Sequence, residues 1–208
     1  MIKLKIISIV LLIFVLLFSC TKENEDTSKY RKNAEAFHLK GNYDKAIECY
    51  QKIIEINPLD PLAYCNMGLA YDNKGNHDKA IECYQKAIAI YPNFALAYCN
   101  MGIAYKNKGN FNIAIECYQK AIVINPYDAN AYCHIGNAYD DKGNYDNAIE
   151  YYQKAININP DYANAYFNMG VAYNNKGNYD IAIECLKQAA RLGSKPAQNL
   201  LREADISW

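Results

Sequence analysis

The chain has 208 residues, 51% of them apolar and 21% charged, an ordinary globular balance with ample material for a core. Its 22 basic and 22 acidic residues cancel, and loss of an N-terminal leader carrying Lys3 and Lys5 leaves the acidic side ahead by those two charges. Nucleic acid, which is held by neutralising phosphates with Lys and Arg, and a polybasic membrane patch are therefore not expected.

The leader is a separate object. Lys3 and Lys5 form a positive start, and Ile6 to Phe18 is aliphatic apart from Ser8 and the aromatics Phe14 and Phe18. That run fits a secretory signal and is short of the roughly 20 residues a spanning helix needs. It ends in Leu17-Phe18-Ser19-Cys20, which resembles a bacterial lipoprotein signal, although Phe18 stands where that pattern carries a smaller residue. The resemblance implies a signal peptide over 1–19, lipid on Cys20, and a chain exported to the cell envelope and anchored in a membrane by its N-terminus. An uncleaved anchor and an ordinary cleaved signal are the alternatives. The residues through 28 read as a polar tether without periodicity.

Beyond the tether the chain repeats. Glycines fall at Gly41, Gly75, Gly109, Gly143 and Gly177, in steps of 34, each inside a version of the phrase KGNYDKAIECYQK. Prolines mark the other end of the period at Pro58, Pro92, Pro126 and Pro160. A fixed period of this length signals stacked supersecondary units. Five of them occupy about 27–60, 61–94, 95–128, 129–162 and 163–196, the helical array running over 29–196.

Each unit reads as two helices. In the second, Tyr64, Met67, Gly68 and Tyr71 recur at three- and four-residue steps, as on one buried helical face. Gly75 ends that helix, because glycine enters the left-handed region without steric cost. Asp78 is expected to cap the next helix with its carboxylate, as are Asp44, Asp146 and Asp180 in their units and Asn112 in the third. Ala80, Ile81, Tyr84, Ala87 and Ile88 form the second apolar face, and Pro92 ends the hairpin. Gly68, Gly102, Gly136 and Gly170 are expected to let the partner helix come close, with tyrosines in two registers, Tyr64, Tyr98, Tyr132 and Tyr166 and then Tyr84, Tyr118 and Tyr152, as the complementary large groups. After Pro196, the stripe Ala197, Leu200, Leu201 and Ala204 predicts a capping helix and tail over 197–208.

These residues closely resemble the tetratricopeptide repeat family over about four-fifths of the chain, most fully in units two to four. The resemblance implies an all-α fold: a right-handed superhelical solenoid of five helical hairpins plus the C-terminal cap, with a concave face that binds peptides or helices. The first and fifth units depart from the pattern, with Asn33, Ala34 and Ser194 at positions the others fill differently, as terminal repeats do.

Catalysis is not expected. His38, His77 and His134 occupy different registers, and no metalloprotease helix, phosphate-cradling loop or nucleophile elbow is present. Cys65, Cys99 and Cys133 form one ladder and Cys49, Cys83, Cys117 and Cys185 another. Neighbours in a ladder are one helix spacing apart, too far for disulfides and wrongly placed for zinc. No cofactor, metal or small-molecule substrate is anticipated.

The resemblance places one stripe of each first helix on the binding face. Ser28, Arg31, Glu35, His38 and Leu39 come from the first unit, and Leu62, Cys65, Leu69, Asp72 and Asn73 from the second. The third supplies Leu96, Cys99, Ile103, Lys106 and Asn107, and the fourth Asn130, Cys133, Asn137, Asp140 and Asp141. Asn164, Phe167, Val171, Asn174 and Asn175 complete it. Leu62, Leu69, Leu96 and Ile103 are expected to lack a partner inside their own hairpins, and such clustered apolar residues mark binding surfaces. A protein or peptide with apolar anchors is the expected partner, with Asn and Asp bonding its backbone. The family's basic clamp for acidic C-terminal tails is missing: Leu96 and Asn100 stand where cations are needed, and Glu35 where the clamp has Asn. The expected role is an interaction scaffold at the cell envelope. The alternative is a structural subunit of an envelope assembly that contacts partners through the solenoid ends.

Overall fold

The computed structural model describes residues 25–208. The leader, the lipidation expected at Cys20 and the tether through residue 24 lie outside the described residues. Eleven helices and no strands occur among the described residues. They are α1 (25–39), α2 (Tyr43–Ile56), α3 (Pro61–Asn73), α4 (His77–Ile90), α5 (Ala95–Asn107), α6 (Phe111–Ile124), α7 (Ala129–Asp141), α8 (Tyr145–Ile158), α9 (Ala163–Asn175), α10 (Tyr179–Arg191) and α11 (Lys195–Glu203). Residues 25–28, expected in the tether, are already helical. Thr27 and Tyr30 are half-buried and Ala34 fully buried, so the apolar face starts earlier than the polar composition indicates.

The helices form two compact units, one ending at Pro92 and the other running from Asn93 to Trp208. In each, consecutive helices pack as hairpins and each hairpin packs on the next.

The turn inside each hairpin has one design. At the end of α3, Gly75 adopts φ +83°. Its N–H donates to the Asp72 carbonyl at 2.8 Å, and the Asn76 N–H donates to the Tyr71 carbonyl at 2.8 Å. Those two bonds satisfy carbonyls that the helix end would leave open. One residue then remains before the next helix, and it is Asn76, not Asp78, that caps α4, accepting from the Lys79 N–H at 3.2 Å. Asn42 and Asn144 cap α2 and α8 in the same way. The expected carboxylate caps are therefore corrected: the three-residue turn starts the helix immediately after Asn. Asp44, Asp78, Asp146 and Asp180 sit in the first turn, where a negative charge favours the helix dipole. Asp44 and Asp146 accept from Lys74 and Lys176 of the following hairpin, and Asn112 accepts from Lys142 at 2.7 Å.

Packing inside the hairpins rests on glycine against tyrosine. A Cβ added to Gly68 lies 2.6 Å from Cε1 of Tyr84, and the same atom on Gly102 or Gly136 lies 2.5 Å from Tyr118 or Tyr152. No methyl fits there without displacing an aromatic ring that is buried to 1% exposure or less. In the fifth hairpin Leu186 replaces the tyrosine and the nearest approach at Gly170 relaxes to 3.1 Å.

The C-terminal helix closes the stack. Ser194 caps α11, and Ala197 and Leu201 are buried with Ala189 and Ala190 of α10. Leu200 and Ala204, expected on the same stripe, face outward, since residues four apart share this face and those three apart do not.

Candidate protein-binding face

In the first unit the expected stripe falls on α1 and α3. Glu35, His38, Leu39, Tyr50, Asn66 and Leu69 surround a cavity of about 310 Å³. Leu39 is 87% exposed and Leu62 40%, whereas the phenol of Tyr50 is buried. Burial holds the His38 pKa below its ordinary value, so its imidazole is neutral at pH 7. Its Nε2 then accepts from the Asn73 amide at 2.9 Å. Arg31 donates from Nη2 to the Asp60 carboxylate at 2.7 Å, and Asp60 also caps α3. Asp72 accepts from the His77 ring at 2.6 Å. Arg31 and Asp72 are thus committed to intramolecular bonds.

In the second unit the same repeat positions are mostly polar. Leu96 is 51% exposed, while Ile103 is half-buried against Ala114, Ile115, Tyr118, Ile135 and Ala138. Asn137 accepts from the Tyr152 hydroxyl at 2.9 Å and from the Asn168 amide at 2.8 Å. Asn130 accepts from the Tyr162 hydroxyl at 2.7 Å, and Lys106 reaches Asp141 at 3.3 Å. Asp140 has Oδ1 buried without a hydrogen-bond partner. Desolvation, and then the neighbouring Asp141, raise its carboxyl above the usual range. Asn107, Asn164 and Asn174 are exposed, and Val171 is half-buried.

Three expected groove residues are relocated. Cys65, Cys99 and Cys133 are buried to 0%, 8% and 3% exposure, so their sulfurs pack behind the face and do not line it. Cys99 packs with Ala131 of the following hairpin and Cys133 with Ala165, where a small thiol fits. Burial pushes the Cys99 thiol up to about 12 and those of Cys83, Cys117, Cys133 and Cys185 to about 11. The seven described cysteines are all thiols. Phe167 is half-buried against the α10–α11 cluster and serves the cap.

Sequence reading passed over two participants. Asn66 lines the first-unit cavity, and Asn168 bonds Asn137. Both stand one residue after the position of Cys65. The available signal is a helix-interior Asn recurring at Asn66, Asn100 and Asn168, where a weak helix former needs another reason to be kept.

Among the described residues no group of three or more His, Cys, Asp or Glu converges to hold a metal ion, and no helix is long and apolar enough to cross a membrane.

Models of the TPR repeat match residues 34–75 and 136–177, and models of the tetratricopeptide repeat match 61–94, 95–128, 117–150 and 163–194. A crystal structure of MamA protein is 33% identical, with 84% of this chain and 96% of that chain covered and a TM-score of 0.68. PilF of Pseudomonas aeruginosa is 17% identical, with 88% of each chain covered and a TM-score of 0.75. YrrB, described as a TPR protein with an unusual peptide-binding site, is 21% identical, with 89% and 97% covered and a TM-score of 0.65. Comparison with curated proteins gave no match.

Proposed function

This chain belongs to the tetratricopeptide repeat family, and we propose that it is an interaction scaffold, held at the cell envelope by lipid on Cys20, that grips a peptide or helix by apolar anchors. One observation carries the reading. Leu39 and Leu69 stand around an open cavity on the first-helix face, with Leu62 exposed on α3, while the neighbouring Gly68 is covered by Tyr84. Hydrophobic side chains left outside a completed core are stabilised when a partner covers them. The peptide-binding description attached to the similarly folded YrrB supports the same use of the fold.

Contact through the ends of the stack is disfavoured at the C-terminus, where α11 already covers the last hairpin. The test is affinity capture from detergent-solubilised native envelope, with the parent chain beside Leu69→Lys and Ile103→Lys variants. Proteins held by the parent and lost by Leu69→Lys are clients of the face. Equal capture by all baits removes the face from the account.

A further inference from the structure

We propose that the first-unit cavity takes a lysine or arginine side chain of the partner peptide, presented beside an aliphatic residue. The inference rests on the reading of this face as the binding surface and names the chemistry that it selects.

Of the six lining residues, Glu35 alone is formally charged, since His38 is neutral. Among the described residues no cation pairs with it. Arg31, one helical turn earlier on α1, is bonded to Asp60, and its Nη1 is buried out of a ligand's reach. Arg31 is paired with Asp60 and does not line the cavity, so Glu35 is the charged group that a ligand in the cavity meets. Burial and then the Glu35 carboxylate raise the pKa of the Tyr50 phenol, and the Arg31 guanidinium lowers it by less. Glu35 and Tyr50 line the cavity together. Asn137 holds the equivalent place in its own repeat and accepts from the Tyr152 hydroxyl.

The walls complete the specificity. Leu39 and Leu69 offer apolar surface to the methylene stem of a long cationic side chain, whose head then reaches the carboxylate. About 310 Å³ corresponds to roughly ten waters, room for one large side chain. A carboxylate from the ligand would meet Glu35 as a like charge, which partner selection penalises.

The test is selection of random displayed peptides on the full chain in detergent, followed by fluorescence anisotropy of the selected peptides. Enrichment of Lys or Arg beside an aliphatic residue is expected. Changing that cation to Gln should weaken binding to the parent about tenfold and leave binding to a Glu35→Gln variant unchanged, the coupling that a double-mutant cycle isolates. Glu35→Lys should shift selection towards acidic peptides. Peptides that lose binding to Leu69→Lys but show no cationic preference would overturn the proposal and leave the binding face standing. Selection that yields no peptide sensitive to Leu69→Lys would overturn both. The weakening is read on the parent chain, and far-ultraviolet circular dichroism of Glu35→Gln and Leu69→Lys checks that both variants are folded.

Discussion

Tyr84 and Tyr152 occupy the same position of their repeats and are buried to 0% and 1% exposure, yet removing their hydroxyls should shift stability in opposite directions. Tyr152 donates to Asn137 at 2.9 Å. Tyr84 has Leu69 at the position equivalent to Asn137, and its hydroxyl is buried without a hydrogen-bond partner. A satisfied buried hydrogen bond contributes about 1 kcal/mol net, whereas an orphaned polar group costs about 1–3 kcal/mol. Tyr152→Phe should therefore destabilise by about 1 kcal/mol, with Asn137 still bonded to Asn168. Tyr84→Phe keeps the ring against Gly68, removes only the orphaned oxygen, and should stabilise by up to about 1 kcal/mol. Leu69→Asn should reverse the sign at Tyr84 by restoring the acceptor. The assay is urea unfolding followed by far-ultraviolet circular dichroism, with the slope compared among variants because repeat arrays do not always unfold as one unit. At this size each kcal/mol moves the thermal midpoint about 2–4 °C. A loss of 1 kcal/mol or more at Tyr84, as at Tyr152, would show that the Tyr84 hydroxyl is bonded and would refute the argument.

Three further outcomes follow from the same packing. Gly136→Ala should lose about 1–3 kcal/mol through displacement of Tyr152, partly offset by alanine's better helix propensity, and Gly170→Ala, opposite the more yielding Leu186, should lose less in the same unfolding assay. In a Cys20→Ser chain at pH 8, a disulfide reagent should label Cys49 first. It is half-buried, while Cys65, Cys83, Cys99, Cys117, Cys133 and Cys185 are buried and should react only on unfolding, as mass spectrometry of the adducts would show. The folded state binds a proton at Asp140 more tightly than the unfolded state does, so its ionised form opposes folding above its raised folded-state pKa. Asp140→Asn should then raise stability at pH 7, by less than about 1 kcal/mol after solvent screening, and the gain should vanish below the ordinary carboxylate range. An equal gain at both pH values would assign it to a cause other than charge.

The helical hairpins, their turns at Gly75 and its equivalents, and the meeting of small residues such as Gly68 with large tyrosines are legible in the linear chain, while the structure selects Tyr84 over Tyr64 as the partner of Gly68. Each depends on residues close in sequence, and the period repeats the message five times over. The helix caps were placed two residues late because Asn76 and Asp78 are both competent caps. Only the backbone path after Gly75 decides which one precedes the helix. Which residues of the expected stripe share a cavity is legible in part. Family resemblance placed Glu35, His38, Leu39 and Leu69 on one face, and the structure gathers these four around a cavity. The resemblance does not reveal that Cys65 is buried, that Cys99 and Cys133 lie under the next hairpin, that Phe167 supports α11, that Asn66 lines the cavity or that Asn168 bonds Asn137. A helical period determines which residues share a direction. Whether that direction ends in solvent or in the next hairpin depends on how layers distant in sequence stack, and tertiary packing alone decides it.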